Sequence, residues 1–138
     1  MSGPKTVVRR GFAGGGVATL LLAGLFVVGG DPGAISTLVP AGWLGAVGVT
    51  LLLAGTRERL AIAGGTVGWP RVAAVGVCLL AAGCGGFGLT QLRGFAAGSV
   101  PWLLTAALTV FAMGYFLWFA RECWTGGRLL DEETFAVE

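Results

Sequence analysis

The chain contains no histidine. That removes imidazole as a general base, a metal ligand or a haem ligand, and it rules out Ser-His and Cys-His nucleophilic sites. Charge is scarce too: Asp, Glu, Lys and Arg together make up 12% of the 138 residues, about half the share in an ordinary soluble domain. The three cysteines form no Cys-x-x-Cys pair, and Cys78 and Cys84 fall about 240° apart around a helix, too far round to bridge. Both read as small apolar packing residues, while palmitoylation of Cys123 at the inner interface has no motif behind it. The few carboxylates are placed for anchoring rather than chemistry. Glu58 and Glu122 stand beside arginines, Asp31 opens the turn Asp31-Pro32-Gly33, and Asp131, Glu132, Glu133 and Glu138 belong to the tail. None is positioned to relay protons through a bilayer. No catalytic residue, metal ligand or cofactor is nominated, and an enzyme is the least favoured class.

What the chain does have is apolar length. Four stretches, about 11–30, 38–55, 71–92 and 99–120, have no Asp, Glu, Lys or Arg in their interiors. Some 20 residues at about 1.5 Å each match a hydrocarbon core of roughly 30 Å, so each is a transmembrane helix candidate. The expected fold is all-α, an integral membrane four-helix bundle. Residues 1–10 form a flexible cytoplasmic N-terminus, 11–120 the membrane domain and 121–138 a cytoplasmic tail, with nothing left for a soluble domain.

Positive residues set the expected orientation. Lys5, Arg9, Arg10, Arg57, Arg59, Arg71, Arg121 and Arg128 all fall on one side of a chain that threads four times, and only Arg93 falls on the other. Short loops rich in Lys and Arg stay cytoplasmic, so both termini are expected inside a cell membrane. Tryptophans are expected to form belts, with Trp43 and Trp102 near the outer ends and Trp69, Trp118 and Trp124 near the inner face. These, with Arg9, Arg10, Arg57, Arg59, Arg71 and Arg121, are the expected interfacial anchors. Arg9-Arg10-Gly11-Phe12 resembles a twin-arginine export signal, but no cleavage site follows and three more spans do. Leu80-Ala81-Ala82-Gly83-Cys84 resembles a lipoprotein box, but it lies inside a span.

The halves echo each other. Val39-Pro40 recurs as Val100-Pro101, each with a Trp just after it, and Gly16-Val17 recurs as Gly76-Val77. Two tandem helical hairpins would produce this pattern, and so would chance among short apolar segments. Glycine, at 26 residues, is abundant, and small residues recur at every fourth position: Gly11, Gly15, Thr19 and Ala23; Gly42, Ala46, Thr50 and Ala54; Ala74, Cys78, Ala82 and Gly86. Such seams let backbones approach closely in lipid, where association depends on van der Waals packing. Gly15, Gly42, Ala46, Ala82 and Gly86 are the expected helix-packing residues. Substituting Leu at Gly42 or Gly86 should disrupt packing, and Cys78→Ala should be tolerated. The fourth span is bulky, with Leu103, Leu108, Phe111 and Phe119, and is expected at the periphery.

Polar atoms at membrane depth are chiefly the hydroxyls of Thr19, Thr50, Thr105 and Thr109, which can bond their own backbone. Small four-helix multidrug exporters have a suitable size but need a membrane-embedded carboxylate. Four-helix fluoride channels are excluded because the chain has no asparagine. Charge distribution gives no support for nucleic-acid binding. In the tail, Trp124-Thr125-Gly126-Gly127 before Asp131-Glu132-Glu133-Thr134-Phe135, with arginine replacing lysine almost everywhere, resembles small uncharacterised four-helix membrane proteins of halophilic archaea. The resemblance implies a habitat and no activity. The acidic segment, with Leu129, Leu130, Phe135 and Val137, could rest on a membrane, dock on a partner or serve as a disordered solubilising tail. The expected function is a non-catalytic accessory, assembly or structural component that packs on other membrane proteins, in contact with membrane lipids. The alternatives are a homo-oligomeric channel or a small-solute carrier with a neutral lining.

Overall fold

The computed structural model describes residues 3–127 and 133–137. Among these, four helices account for nearly the whole fold: α1 (Pro4–Gly29), α2 (Ile35–Thr56), α3 (Trp69–Leu92) and α4 (Val100–Thr125). Each is long and apolar enough to cross a membrane, and at about 1.5 Å per residue each exceeds the roughly 30 Å of hydrocarbon. The fold is all-α.

Local chemistry sets the helix limits. Proline stands in the first turn of α1, α3 and α4, where its missing N–H costs nothing. Ser99 caps α4 by accepting a hydrogen bond from the Trp102 N–H at 3.4 Å. Gly126 ends α4 in the left-handed region, and the Gly127 N–H closes onto the Glu122 carbonyl at 2.8 Å. Two boundaries differ from those the apolar runs suggest. Residues 4–10, expected to be flexible, are the opening turns of α1, and α4 continues past residue 120 to Thr125. Backbone hydrogen bonding does not stop where hydropathy does, and both ends lack a helix breaker before those limits.

The α2–α3 connection holds the one element absent from the sequence reading. β1 (Arg59–Ile62) and β2 (Gly65–Gly68) pair antiparallel, with Arg59 opposite Gly68 and Ile62 opposite Gly65. Ala63 and Gly64 form the two-residue turn, both at positive φ, 35° and 90°. This is the backbone sense that matches strand twist in short hairpins.

The helices pack as two antiparallel hairpins, α1 on α2 and α3 on α4, joined through α2 against α3. We refer to the end carrying the start of α1, the β-hairpin and the end of α4 as the terminal face. Packed side chains concentrate in that half. One cluster joins Ala54, Trp69, Val72, Ala73, Ala74, Cys123 and Phe135, and a second joins Val47, Leu51, Val77 and Ala120. Phe12 of α1 reaches Phe119 of α4 there, with ring centroids 6.2 Å apart. The echoed segments are not equivalent in space: Pro101 opens α4 whereas Pro40 lies inside α2. Gly16 meets its own hairpin partner α2, whereas Gly76 meets α2 across the hairpin boundary.

Candidate functional site

Close helix approach is made by glycines that the four-residue spacing did not single out. A β-carbon on Gly16 would lie 2.5 Å from the Leu52 nitrogen and 2.8 Å from the Gly48 carbonyl oxygen. One on Gly55 would overlap the backbone of Ala13 and Arg9. Across the α2–α3 junction Gly76 receives Leu51 and Gly83 receives the Trp43 ring; between α3 and α4 Gly85 receives Met113 and Gly88 receives Thr109. By contrast, a β-carbon on Gly15, Gly42 or Gly86 would meet nothing within 4 Å, and Ala46 and Ala82 are exposed. Among the described residues, the three expected packing glycines therefore make no close helix contact within the chain.

The reason is angular. Steps of four residues advance 400° and drift about 40° each time, so a string of three steps leaves its starting face. Steps of seven drift only about 20°. The pairs actually used, Gly48 with Gly55 and Gly76 with Gly83, are spaced by seven, which suits nearly aligned helices.

Two expected anchors also have other roles. The Trp43 indole N–H donates to the Leu79 carbonyl at 2.7 Å, and its ring lies in the space left by Gly83. It joins α2 to α3 and gives a half-buried N–H the acceptor that hydrocarbon would deny it. Trp69 is fully enclosed, stacked on Phe135 at 5.6 Å and tilted against Phe12 at 6.1 Å. It is a core residue of the terminal face, because the β-hairpin and the returning tail cover the position that hydropathy assigned to a headgroup layer. The other anchors keep outward or rim positions. Trp118 and Trp124 are exposed and Trp102 half-buried, while Arg10, Arg57, Arg59, Arg71 and Arg121 are exposed. Arg9 and Lys5 converge on Glu58 at 2.7 and 2.6 Å, pinning the start of α1 to the loop after α2.

The tail turns back onto the bundle. Phe135 is 5% exposed against Trp69, Val137 occupies the space beside Gly68, and Thr134 is buried. Residues 128–132 and 138, including Arg128, Asp131 and Glu132, lie outside the described residues. Cys123 is wholly buried, packed with Ala54, Trp69 and Ala73. Threonine hydroxyls at depth are spent on their own helices: Thr19 on Gly15, Thr50 on Ala46 and Thr109 on Thr105.

Two cavities open at or near the terminal face. One, of about 320 Å³, is lined by Arg59, Arg71, Thr66, Thr125 and Trp124, with Phe135 and Val137 of the tail. The other, of about 470 Å³, runs between α3 and α4 along Val75, Cys78, Leu79 and Leu117 and also touches Trp124. Arg71 lies over the Trp124 ring at 5.5 Å.

Most of the remaining surface is apolar and faces outward. Only Gly16 of α1 is buried, and Leu21, Leu22, Leu25 and Val28 are exposed. On α4, Leu103, Leu104, Leu108 and Phe111 are exposed, placing this bulky helix at the edge of the bundle. Gly11, Gly14 and Gly15 open onto empty space on one face of α1.

Such a chain, with four bilayer-length helices whose large apolar side chains point outward, is a small multi-pass membrane protein. It belongs to the DUF7994 family, a family of unknown function, which matches residues 7–136. No curated protein and no solved structure matches it.

Proposed function

We propose that this chain is a non-catalytic accessory or structural component of a cell membrane that acts by packing its outward helix faces against another membrane protein. The observation that carries the reading is the face of α1 made by Gly11, Gly14 and Gly15. A β-carbon on any of these glycines would meet nothing among the described residues, although Gly16 beside them is filled to backbone contact. Glycine costs about 1 kcal/mol against alanine in a helix, so three at i, i+3 and i+4 are hard to explain as lipid-facing surface and suit a second backbone at close range. The outward residues of α4 would extend the contact, with membrane lipids covering the rest. The positive-residue bias supports both termini being cytoplasmic. The arginine-rich, lysine-poor composition supports a halophilic archaeal host.

Copurification from native membranes tests the reading. The expected result is a stoichiometric membrane-protein partner. Purification of the chain alone, together with selective solute flux in liposomes, would replace it with a homo-oligomeric channel or carrier.

A further inference from the structure

We propose that the two cavities at the terminal face form one binding site for an anionic phospholipid, with the headgroup phosphate between Arg59 and Arg71 and a hydrocarbon chain in the groove between α3 and α4. The basic cavity presents two exposed guanidiniums and the Thr66 hydroxyl, and among the described residues no carboxylate lines it. Neither guanidinium has an ion-pair partner among the described residues, whereas Lys5 and Arg9 on the same face are engaged by Glu58. Guanidinium groups suit phosphate oxygens because they offer paired donors at fixed geometry. At about 320 Å³ the cavity is at the small end of ligand-sized sites, adequate for a headgroup.

The adjoining groove makes the ligand a lipid rather than a free anion. It is walled by Val75, Cys78, Leu79 and Leu117, with Arg121 at its rim, and Trp124 lines both it and the basic cavity. A cationic chamber and a mainly apolar groove along two membrane helices, with Trp124 lining both, match an amphiphile with an anionic head. Trp124 marks the junction and is held by the Arg71 cation lying over its ring. Basic pockets between transmembrane helices are one recurrent means of recognising anionic headgroups.

The test uses the full chain in detergent, with native mass spectrometry of retained lipid after adding phosphatidylglycerol or phosphatidylcholine. One retained phosphatidylglycerol, in preference to phosphatidylcholine, is expected. Arg59→Gln and Arg71→Gln should each weaken retention about fivefold, the equivalent of roughly 1 kcal/mol per basic residue, and Arg93→Gln should leave it unchanged. Cys78→Phe, which fills the groove, should weaken the long-chain lipid, and excess inorganic phosphate should not displace it. Equal retention of both lipids, equal loss with Arg93→Gln, or displacement by inorganic phosphate would overturn the proposal. Photo-cross-linking of a headgroup-labelled phosphatidylglycerol to the unmodified chain provides a second reading that needs no variant. Adducts at Thr66, Trp124 and Thr125 support the site, and adducts spread evenly over all interfacial residues overturn it.

Discussion

At the scale of the residue, one methyl group distinguishes the two faces of α1. Gly16→Ala places a carbon against the backbone of α2, and Gly55→Ala does the same against α1. Each forces the helices apart, and thermal unfolding in detergent should show a loss of about 1–3 kcal/mol, the usual cost of overpacking. Gly15→Ala and Gly42→Ala meet nothing; they should leave the melting temperature unchanged or raise it, since alanine is favoured over glycine in a helix by about 1 kcal/mol. Equal losses at all four positions would contradict the assignment of faces. The abundance of glycine was legible in the sequence, but which glycines touch was not. Gly15 and Gly16 are neighbours with opposite roles, and what separates them is where α2 lies, which no local spacing encodes.

At the scale of the element, the α2–α3 connection is more than a loop. Ala63 holds a positive φ of 35° in the hairpin turn, a conformation disfavoured for any residue with a β-carbon. Ala63→Gly should therefore stabilise the hairpin by on the order of 1 kcal/mol, read as slower amide exchange across Arg59–Gly68; faster exchange would show that the turn is not strained. The clamp of Lys5 and Arg9 on Glu58 ties α1 to this hairpin. Glu58→Gln should cost roughly 1 kcal/mol or less and loosen residues 4–10, with the difference shrinking as salt is raised. A loss insensitive to salt would point away from charge.

The four helices could be read in advance because hydrocarbon imposes length and apolarity on them. The hairpin could not, since four-residue strands with a glycine-rich turn look like any linker. The inward placement of Trp69 is not legible in the sequence for a similar reason. Its position beside a charged boundary matches a headgroup anchor, and only the return of Phe135 from the far end of the chain shows that it is covered.

At the scale of the whole molecule, the two halves of the bundle differ. The terminal face is cross-braced by Phe12, Trp69, Phe119 and Phe135 and by the Glu58 clamp, while α1 and α4 turn most of their circumference outward. A molecule built this way is held together on one side of the membrane and offers apolar faces along the rest of its length.

The most direct test of that account compares copurification from native membranes of the wild-type chain and the Gly15→Leu variant. The wild type should bring down a stoichiometric membrane-protein partner. Gly15→Leu should lose that partner while keeping the wild-type melting temperature, because its side chain enters open space within the chain and blocks only an incoming helix. Retention of the partner at wild-type stoichiometry by a folded Gly15→Leu variant would contradict the account.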